Sequence, residues 1–428
     1  IAPLYAPAAR PAAPARQPAA DRAWEVATLS AHPDPARANT EILADLRGGA
    51  AAAVMRLNPT GQAGVAIGSE RELGRALDGV ILELAPVALD AGFLGPQAAD
   101  WLSAVAKSSP GALLRFHLDP LSAYAEAGAS PGPIEAHIFA AANAAVRLAQ
   151  TYPQAQLFLA SGRVTHEAGG GEALEVAFAA SAAVAYAKAL VRAGLPMAGA
   201  FGRITLGLSS DADYFLTIAK LRAARAVWAR VATACGGGPT ARIEARSSRR
   251  MLAAQDAWTN MIRLTVAGFG AAVGGADSVI LGNFTDALGL PTEFARRQSR
   301  NAQLVLMEEA HIGRVADPAA GSGYIEALTD QIARTAWAGF QSIEAAGGII
   351  AALGSGQIAA QVAAARSARP EPRLIGVNAF PPDKQTPAPV ELAAARPVTA
   401  PSPRLPGPDG ACPPLKPIRL AEPFEAAK

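Results

Sequence analysis

Cysteine is nearly absent: two residues in 428, Cys235 and Cys412, far apart in the chain. That excludes a disulfide framework, and with only five histidines no zinc-type spacing arises, so no metal site is expected. Charge of one sign is lacking as well. Against 36 acidic side chains stand 38 basic ones, a net charge of +2, which gives no electrostatic reason for a nucleic acid or an anionic membrane as partner. The one dense basic cluster is RSSRR at 246–250. No apolar run of about 18 residues free of charge or helix-face polarity stands out, so no transmembrane span is expected. The opening segment holds no signal-peptide core. A cytoplasmic protein is the plain expectation. The chain starts at Ile1 rather than methionine, as a processed or trimmed piece of a longer protein would.

What is present is apolar bulk and, at both ends, proline. With 51% hydrophobic residues the chain can bury a large core. Residues 1–20 are Ala/Pro-rich, and proline removes backbone donors and clashes with the preceding helical turn, so they read as an extended arm. From 369 to 428 proline returns at high density, which reads as a linker or wrapping tail. The globular part is placed at 21–368.

Within it, short apolar runs are expected as strands at 52–57, 79–84, 112–118, 155–161, 202–208, 241–247 and 277–284, with a weaker one, GRVAD, at 313–317. Helical patterns lie between them: 69–77, 97–107, 133–150, 172–193, 211–235, 256–273 and 292–309, with 323–345 after the last. Asp211, Asp256 and Thr292 are expected as caps, and Gly236 and Gly347 as stops. Eight strands alternating with eight helices predict parallel βα units, and eight is the number that closes a (β/α)8 TIM barrel. An open doubly wound sheet is the other possibility, but its first turn would need a G-x-G-x-x-G that is missing.

The stretch ASGRVTHEAGGG at 160–171 sets His166 beside Glu167 on the loop after an expected strand, a place where catalysis often sits in barrels. Glycine turns VGGADS and AAGSG mark βα junctions, and the second, at 319–323, could hold an anion at a helix N-terminus.

Several longer segments resemble the methylmalonyl-CoA mutase family. They are IAKLRAARAVWARV (218–231), QDAWTNMIRLTVAGFGAAVGGADSV (255–279), the run from DALGLPTEF to YIEAL (286–328) and EAAGGI (344–349). LIGVNAF (374–380) resembles the segment that leaves that family's barrel, and IAPLYAP (1–7) its N-terminal arm. The resemblance implies a (β/α)8 barrel. It also implies an acyl-CoA thioester bound along the barrel axis, adenosylcobalamin on a second domain, and a radical that moves a carbonyl-CoA group between neighbouring carbons.

The departures from that family carry the functional reading. Its S-G-Y-H-M-Q-E-A-G aligns without gaps on SGRVTHEAG, so Arg163 takes the place of the tyrosine and Val164 that of the catalytic histidine. Valine has neither donor nor acceptor. His166 stands where the family has glutamine and is expected as a loop histidine bonded to local backbone. The family's H-T-N reads Ile280-Leu281-Gly282, and its tyrosine-bearing arm motif is reduced to ADRAWEVATLS at 20–30. No D-x-H-x-x-G occurs, so the cobalt-binding histidine is missing. Arg203 falls where the family has an arginine able to face a carboxylate or phosphate; a structural ion pair is the other reading. Bulky residues such as Met55, Leu57, Ile81, Leu82, Leu84, Leu113, Leu114, Phe116, Leu157 and Phe158 are expected to point inward and fill the barrel, leaving no channel.

The expectation is therefore a non-catalytic small subunit of methylmalonyl-CoA mutase, partnered by a large catalytic subunit. It should have no catalytic residue and no bound cofactor of its own, with adenosylcobalamin held in the assembled enzyme. Arg203, His166 and Glu167 are the candidates for a residual pocket. The alternatives are a catalytic acyl-CoA mutase chain whose cobalamin domain is a separate polypeptide, and an acyl-CoA binding or regulatory protein. Whether a cobalamin-type domain follows Lys428 is left open.

Overall fold

The computed structural model describes residues 16, 22–58, 60, 63–238, 240–398 and 411–426. The proposed arm at 1–20 lies outside them except for Arg16, whose guanidinium donates to Ala276 O. Eight parallel strands close into a barrel in chain order, with β1 (Glu25–Ser30) paired to β2 (Ala52–Arg56) on one side and to β8 (Ser278–Ile280) on the other. The others are β3 (Val87–Asp90), β4 (Leu114–Leu118), β5 (Gln156–Ser161), β6 (Ile204–Ser210) and β7 (Arg242–Ser247).

The expected count of eight is met with two substitutions. GVILEL at 79–84 is a turn with Ile81 and Leu84 exposed, and the third strand follows it at Val87. GRVAD at 313–317 is a 3-10 turn and loop, whereas EVATLS, read as the remnant of an arm motif, is β1.

Helices α1 (Pro35–Arg47), α2 (Glu70–Ala76), α3 (Gly95–Val105), α4 (Pro120–Ala127) and α5 (Ile134–Thr151) precede β5. A one-turn α6 (Arg163–Glu167) then leads into the long α7 (Glu172–Arg192), followed by the short α8 (Met197–Phe201). α9 (Tyr214–Ala234), α10 (Asn260–Val273), α11 (Glu293–Leu304), α12 (Gly323–Ala345), α13 (Ile349–Gly354) and α14 (Gln357–Ala368) complete the jacket, and α15 (Glu422–Glu425) lies near the end. Asp213, not Asp211, caps α9 by accepting from Leu216 N, which frees Asp211 for another task; Thr292 caps α11 as expected. Asp256 caps no backbone N–H and accepts from the Thr259 hydroxyl instead. At Ala319–Gly323 the expected anion position is taken by the chain itself, because Gly321 N donates to the Glu326 carboxylate. α7 is long and apolar enough to cross a membrane by composition, yet most of it is buried inside the fold. Its alanines let it pack closely against β5, β6, α9 and α12.

The core is the layer between strands and helices. Met55, Leu57, Leu82, Leu114, Phe116, Leu157 and Phe158, all expected inside the barrel, pack in this outer layer, and Leu113 is exposed along with Ile81 and Leu84. The physical reason is that helices cover the outside of every strand, so the outward face is the one that must be apolar. Each fully buried side chain of this size contributes roughly 1.5–3 kcal/mol. The inward face carries a separate cluster, Ala27, Ala52, Val54, Ala88 and Ile280, with Leu29 against it.

The Pro-rich tail wraps its own barrel. Ile375 O accepts from Arg263, Thr386 O from the Trp258 indole, and Glu391 pairs with Leu290 and with Arg37. Arg396 reaches Asp34, and Val398 lies against Gly68. After the undescribed 399–410, Cys412 N donates to Gly128 O, Leu415 N to Ala125 O, Ile418 N to Glu167 O and Leu420 N to Arg250 O. Gly128, at φ 78°, has no room for a Cβ, which would meet Pro414 and Cys412 O. The described segments thus touch the rim loops after β8, β1, β2, β4, β5 and β7 in turn. The belt then meets its own start: Leu374 and Val377 pack with Ala421 and Phe424 around Ala253.

Candidate functional site at the barrel mouth

Inside the barrel, charged residues alternate along two strands. Arg115 and His117 come from β4, and Arg242, Glu244 and Arg246 from β7. At the N-terminal level Arg115 Nη2 lies 2.5 Å from Glu25 of β1, which also takes Arg242 Nη2 at 2.9 Å. Burial alone would raise the Glu25 carboxyl, but these two guanidiniums hold it below its ordinary value. One level up, His117 Nε2 stands 3.5 Å from Glu244 Oε2, and Arg246 Nε 2.9 Å from Glu244 Oε1. Arg246 Nη1 then crosses to Asp90 of β3 at 2.9 Å. β7 and β3 are four strands apart in a ring of eight, so this pair spans the diameter. The axis is barred by ion pairs at two levels rather than filled by bulk.

These pairs set the protonation of the interior. Burial pushes Asp90 and Glu244 up, yet Arg246 and its neighbours, Arg56 for Asp90 and His117 for Glu244, hold both far below the usual carboxylate range. Burial pushes His117 down to about 4 against the pull of Glu244, with Arg246 and Arg115 adding to the fall. His117 is therefore neutral at pH 7. It also has a left-handed backbone, φ 45°, where the pairing of β4 with β5 shifts register. Asp90 and Arg56 keep about a third of their side-chain surface accessible, 33% and 32%, which makes the mouth an open polar recess. Arg163 faces it, bonded through Nε to Ser161 Oγ and lowered to about 10 by burial and by Arg246. Asp119, which takes the Tyr186 hydroxyl at 2.6 Å, is raised to about 6 by burial.

The three residues expected to mark a pocket do not form one. His166 is fully buried at the end of α6, with Nδ1 3.2 Å from Glu175 and Nε2 3.2 Å from Asp211. It is thus clamped by two carboxylates, not bonded to local backbone; periodicity on α7 and a cap pattern at Asp211 hid both partners. Glu175 Oε2 also takes Lys220 at 2.6 Å, and Asp211 Oδ2 takes Arg250 at 2.8 Å. Gly162 permits this packing, since a Cβ there would sit 2.0 Å from Glu175 O. Glu167 accepts from Arg249 N, and its carbonyl receives the belt. Arg203 precedes β6 at the opposite end of the barrel and donates to Ala155 O at 2.9 Å, neither in an ion pair nor in the recess.

Of the residues that do line the mouth, Arg163 was noted only as the replacement of a tyrosine and Arg246 only as part of the basic cluster, while Arg56, Asp90, His117 and Glu244 were not singled out from sequence. The available signal was the every-second-residue charge in RIEARS and LRFHL. Among the described residues no group of three or more His, Cys, Asp and Glu could hold a metal ion.

The model of the methylmalonyl-CoA mutase family matches residues 40–400. This chain belongs to that family. It is 40% identical over 387 residues to the methylmalonyl-CoA mutase small subunit of Streptomyces virginiae, covering 87% of this chain and 61% of that one. It is 35% identical over 339 residues to the methylmalonyl-CoA mutase small subunit of Propionibacterium freudenreichii subsp. shermanii, covering 77% and 51%. To the methylmalonyl-CoA mutase of Escherichia coli it is 38% identical over 200 residues, 46% of this chain and 28% of that one. The chain thus spans about half to three fifths of the length of the small subunits it matches. Val164 is buried and packs in the main hydrophobic core.

Proposed function

We propose that this chain is a non-catalytic, structural subunit of a methylmalonyl-CoA mutase, supporting a large catalytic subunit that interconverts methylmalonyl-CoA and succinyl-CoA. The observation that carries the reading is the set of ion pairs across the axis, Arg115–Glu25 and Arg246–Asp90, on the route an acyl-CoA would take. Threading a pantetheine arm would separate buried charges from their partners, which costs about 3–5 kcal/mol per broken pair. Val164 supplies no proton donor beside the thioester.

Adenosylcobalamin belongs, on this reading, to the partner. The histidines here do not fit a cobalt ligand at the mouth: His32, His117 and His166 are buried, and each faces a carboxylate. No step is derived through the cofactor on this chain. The Pro-rich ends, together with the jacket helices, would offer the partner its contact surface, and a cytoplasmic location fits such an assembly.

The second reading, a catalytic acyl-CoA mutase chain with its cobalamin domain on a separate polypeptide, is favoured by one feature. Several inward positions not in ion pairs are small, namely Ala27, Ala52, Ala88, Ser161 and Gly207, beside the larger Val54 and Ile280. One experiment separates the two. Co-expression with the large subunit should give a stable complex by size-exclusion chromatography, with mutase activity that depends on the partner's site. The isolated chain should show no saturable binding of methylmalonyl-CoA by calorimetry up to roughly 1 mM, and no spectral shift with adenosylcobalamin. Saturable acyl-CoA binding by this chain alone would overturn the structural reading. So would a large subunit that is equally stable and active without it.

A further inference from the structure

The last stretch of the belt is docked onto residues held by the His166 cluster. Ile418 N donates to Glu167 O, and Leu420 N to Arg250 O. Arg250 in turn donates to His166 O and Gly170 O and pairs with Asp211. His166 is the one ring in this arrangement, and both its nitrogens face carboxylate oxygens at 3.2 Å. Ionised carboxylates only accept. A neutral imidazole could satisfy one of them and would turn a lone pair toward the other, in a site without water contact.

We propose that His166 sits as a doubly protonated imidazolium between Glu175 and Asp211, and that this charge fastens the closing end of the belt over the barrel mouth. The ring faces Glu175 from α7 and Asp211 after β6; around these carboxylates stand Lys220 from α9, Arg250 after β7, Glu172 from α7 and Arg369 after α14. Burial works to raise Glu175 and Asp211. Lys220 and His166 for the first, and His166 and Arg250 for the second, keep them ionised. This inference concerns access to the mouth and stands whether or not the chain is a mutase subunit.

The chain carries its own probes. Cys412, on the belt, is buried, and Cys235, at the end of α9, is exposed. A maleimide should label Cys235 at once and Cys412 only when the belt lifts, and the ratio of the two rates removes much of the pH dependence common to thiols. In the full chain, His166→Gln should raise the Cys412:Cys235 ratio by about tenfold or more, since one donor of a buried charged pair is lost. Nitrogen-15 spectra of the histidine-labelled wild type, with five histidines to assign, should show both ring nitrogens of His166 protonated at pH 7. Leu420→Pro, which removes the donor to Arg250 O, should raise the ratio without changing those signals. A single protonated nitrogen on His166 at pH 7 would overturn the proposal even if His166→Gln fails to fold. So would a ratio raised by Leu420→Pro but untouched by His166→Gln.

Discussion

The two faces of the same eight strands have opposite chemistry. Outward, Val26, Val87, Phe116, Leu206 and Ile243 meet the helices in a continuous apolar layer. Inward, a cluster of Ala27, Ala52, Val54, Ala88 and Ile280 lies beside charges on β4 and β7 that pair with Glu25 of β1 and Asp90 of β3. The outer face holds the fold together and tolerates little. The inner face contributes little apolar area, so its residues are free to close the axis with charge. A barrel's axis can therefore be crossed by charge without any change in its jacket.

The largest test of this contrast is on the outside. Phe116→Ala should cost about 3–5 kcal/mol in urea unfolding, through lost burial and the cavity left behind. A cost under about 1 kcal/mol would mean the jacket is not the main core. Next comes Arg246→Met, which leaves Glu244 and Asp90 without their guanidinium and should cost about 3 kcal/mol at pH 7. Asp90 and Glu244 are depressed in the folded protein, so their contribution is present above the ordinary carboxylate value, about 4, and is lost as pH falls below it. The difference between variant and wild type should accordingly shrink in acid. A variant as stable as the wild type at pH 7 would show that the ion pairs bar the axis without holding anything.

The smallest effect is a slope. His117 is lowered from 6.5 to about 4, so between those values the unfolded chain binds a proton that the folded one refuses, and stability falls as pH falls. His117→Gln should remove about 2 kcal/mol of that loss between pH 7 and 4.5. Asp119, raised to about 6, acts in the opposite sense over an overlapping window, but it is present in both proteins and cancels in the comparison. Parallel stability curves for the two proteins would place His117 in contact with water.

The barrel was legible in the alternation of elements, though two of its eight strands were misplaced for one reason. GVILEL is the more apolar string, but it is EVATLS that has a neighbour on both edges, with Glu25 serving the interior and Val26 the jacket. Apolar content measures burial, and pairing is not written in it. The same substitution of bulk for position sent Phe116 and Phe158 to the wrong face. Val164 drew attention because a local motif frames it. The bars across the axis were not, since Arg246 and Asp90 lie 156 residues apart and Arg115 and Glu25 lie 90 apart, and only closure of the ring brings them together.

The belt sets an order of events for the ribosome. Every strand and jacket helix through Ala368 has been made before residue 374 emerges, so the barrel can close, and its charges pair, while its upper rim is still bare. Domains fold as units during synthesis at about 5–20 residues per second, which leaves a few seconds between the last jacket helix and the final turn of the belt. In that interval Leu374 and Val377 wait for Ala421 and Phe424, and any partner that must reach the open rim has its opportunity before they meet.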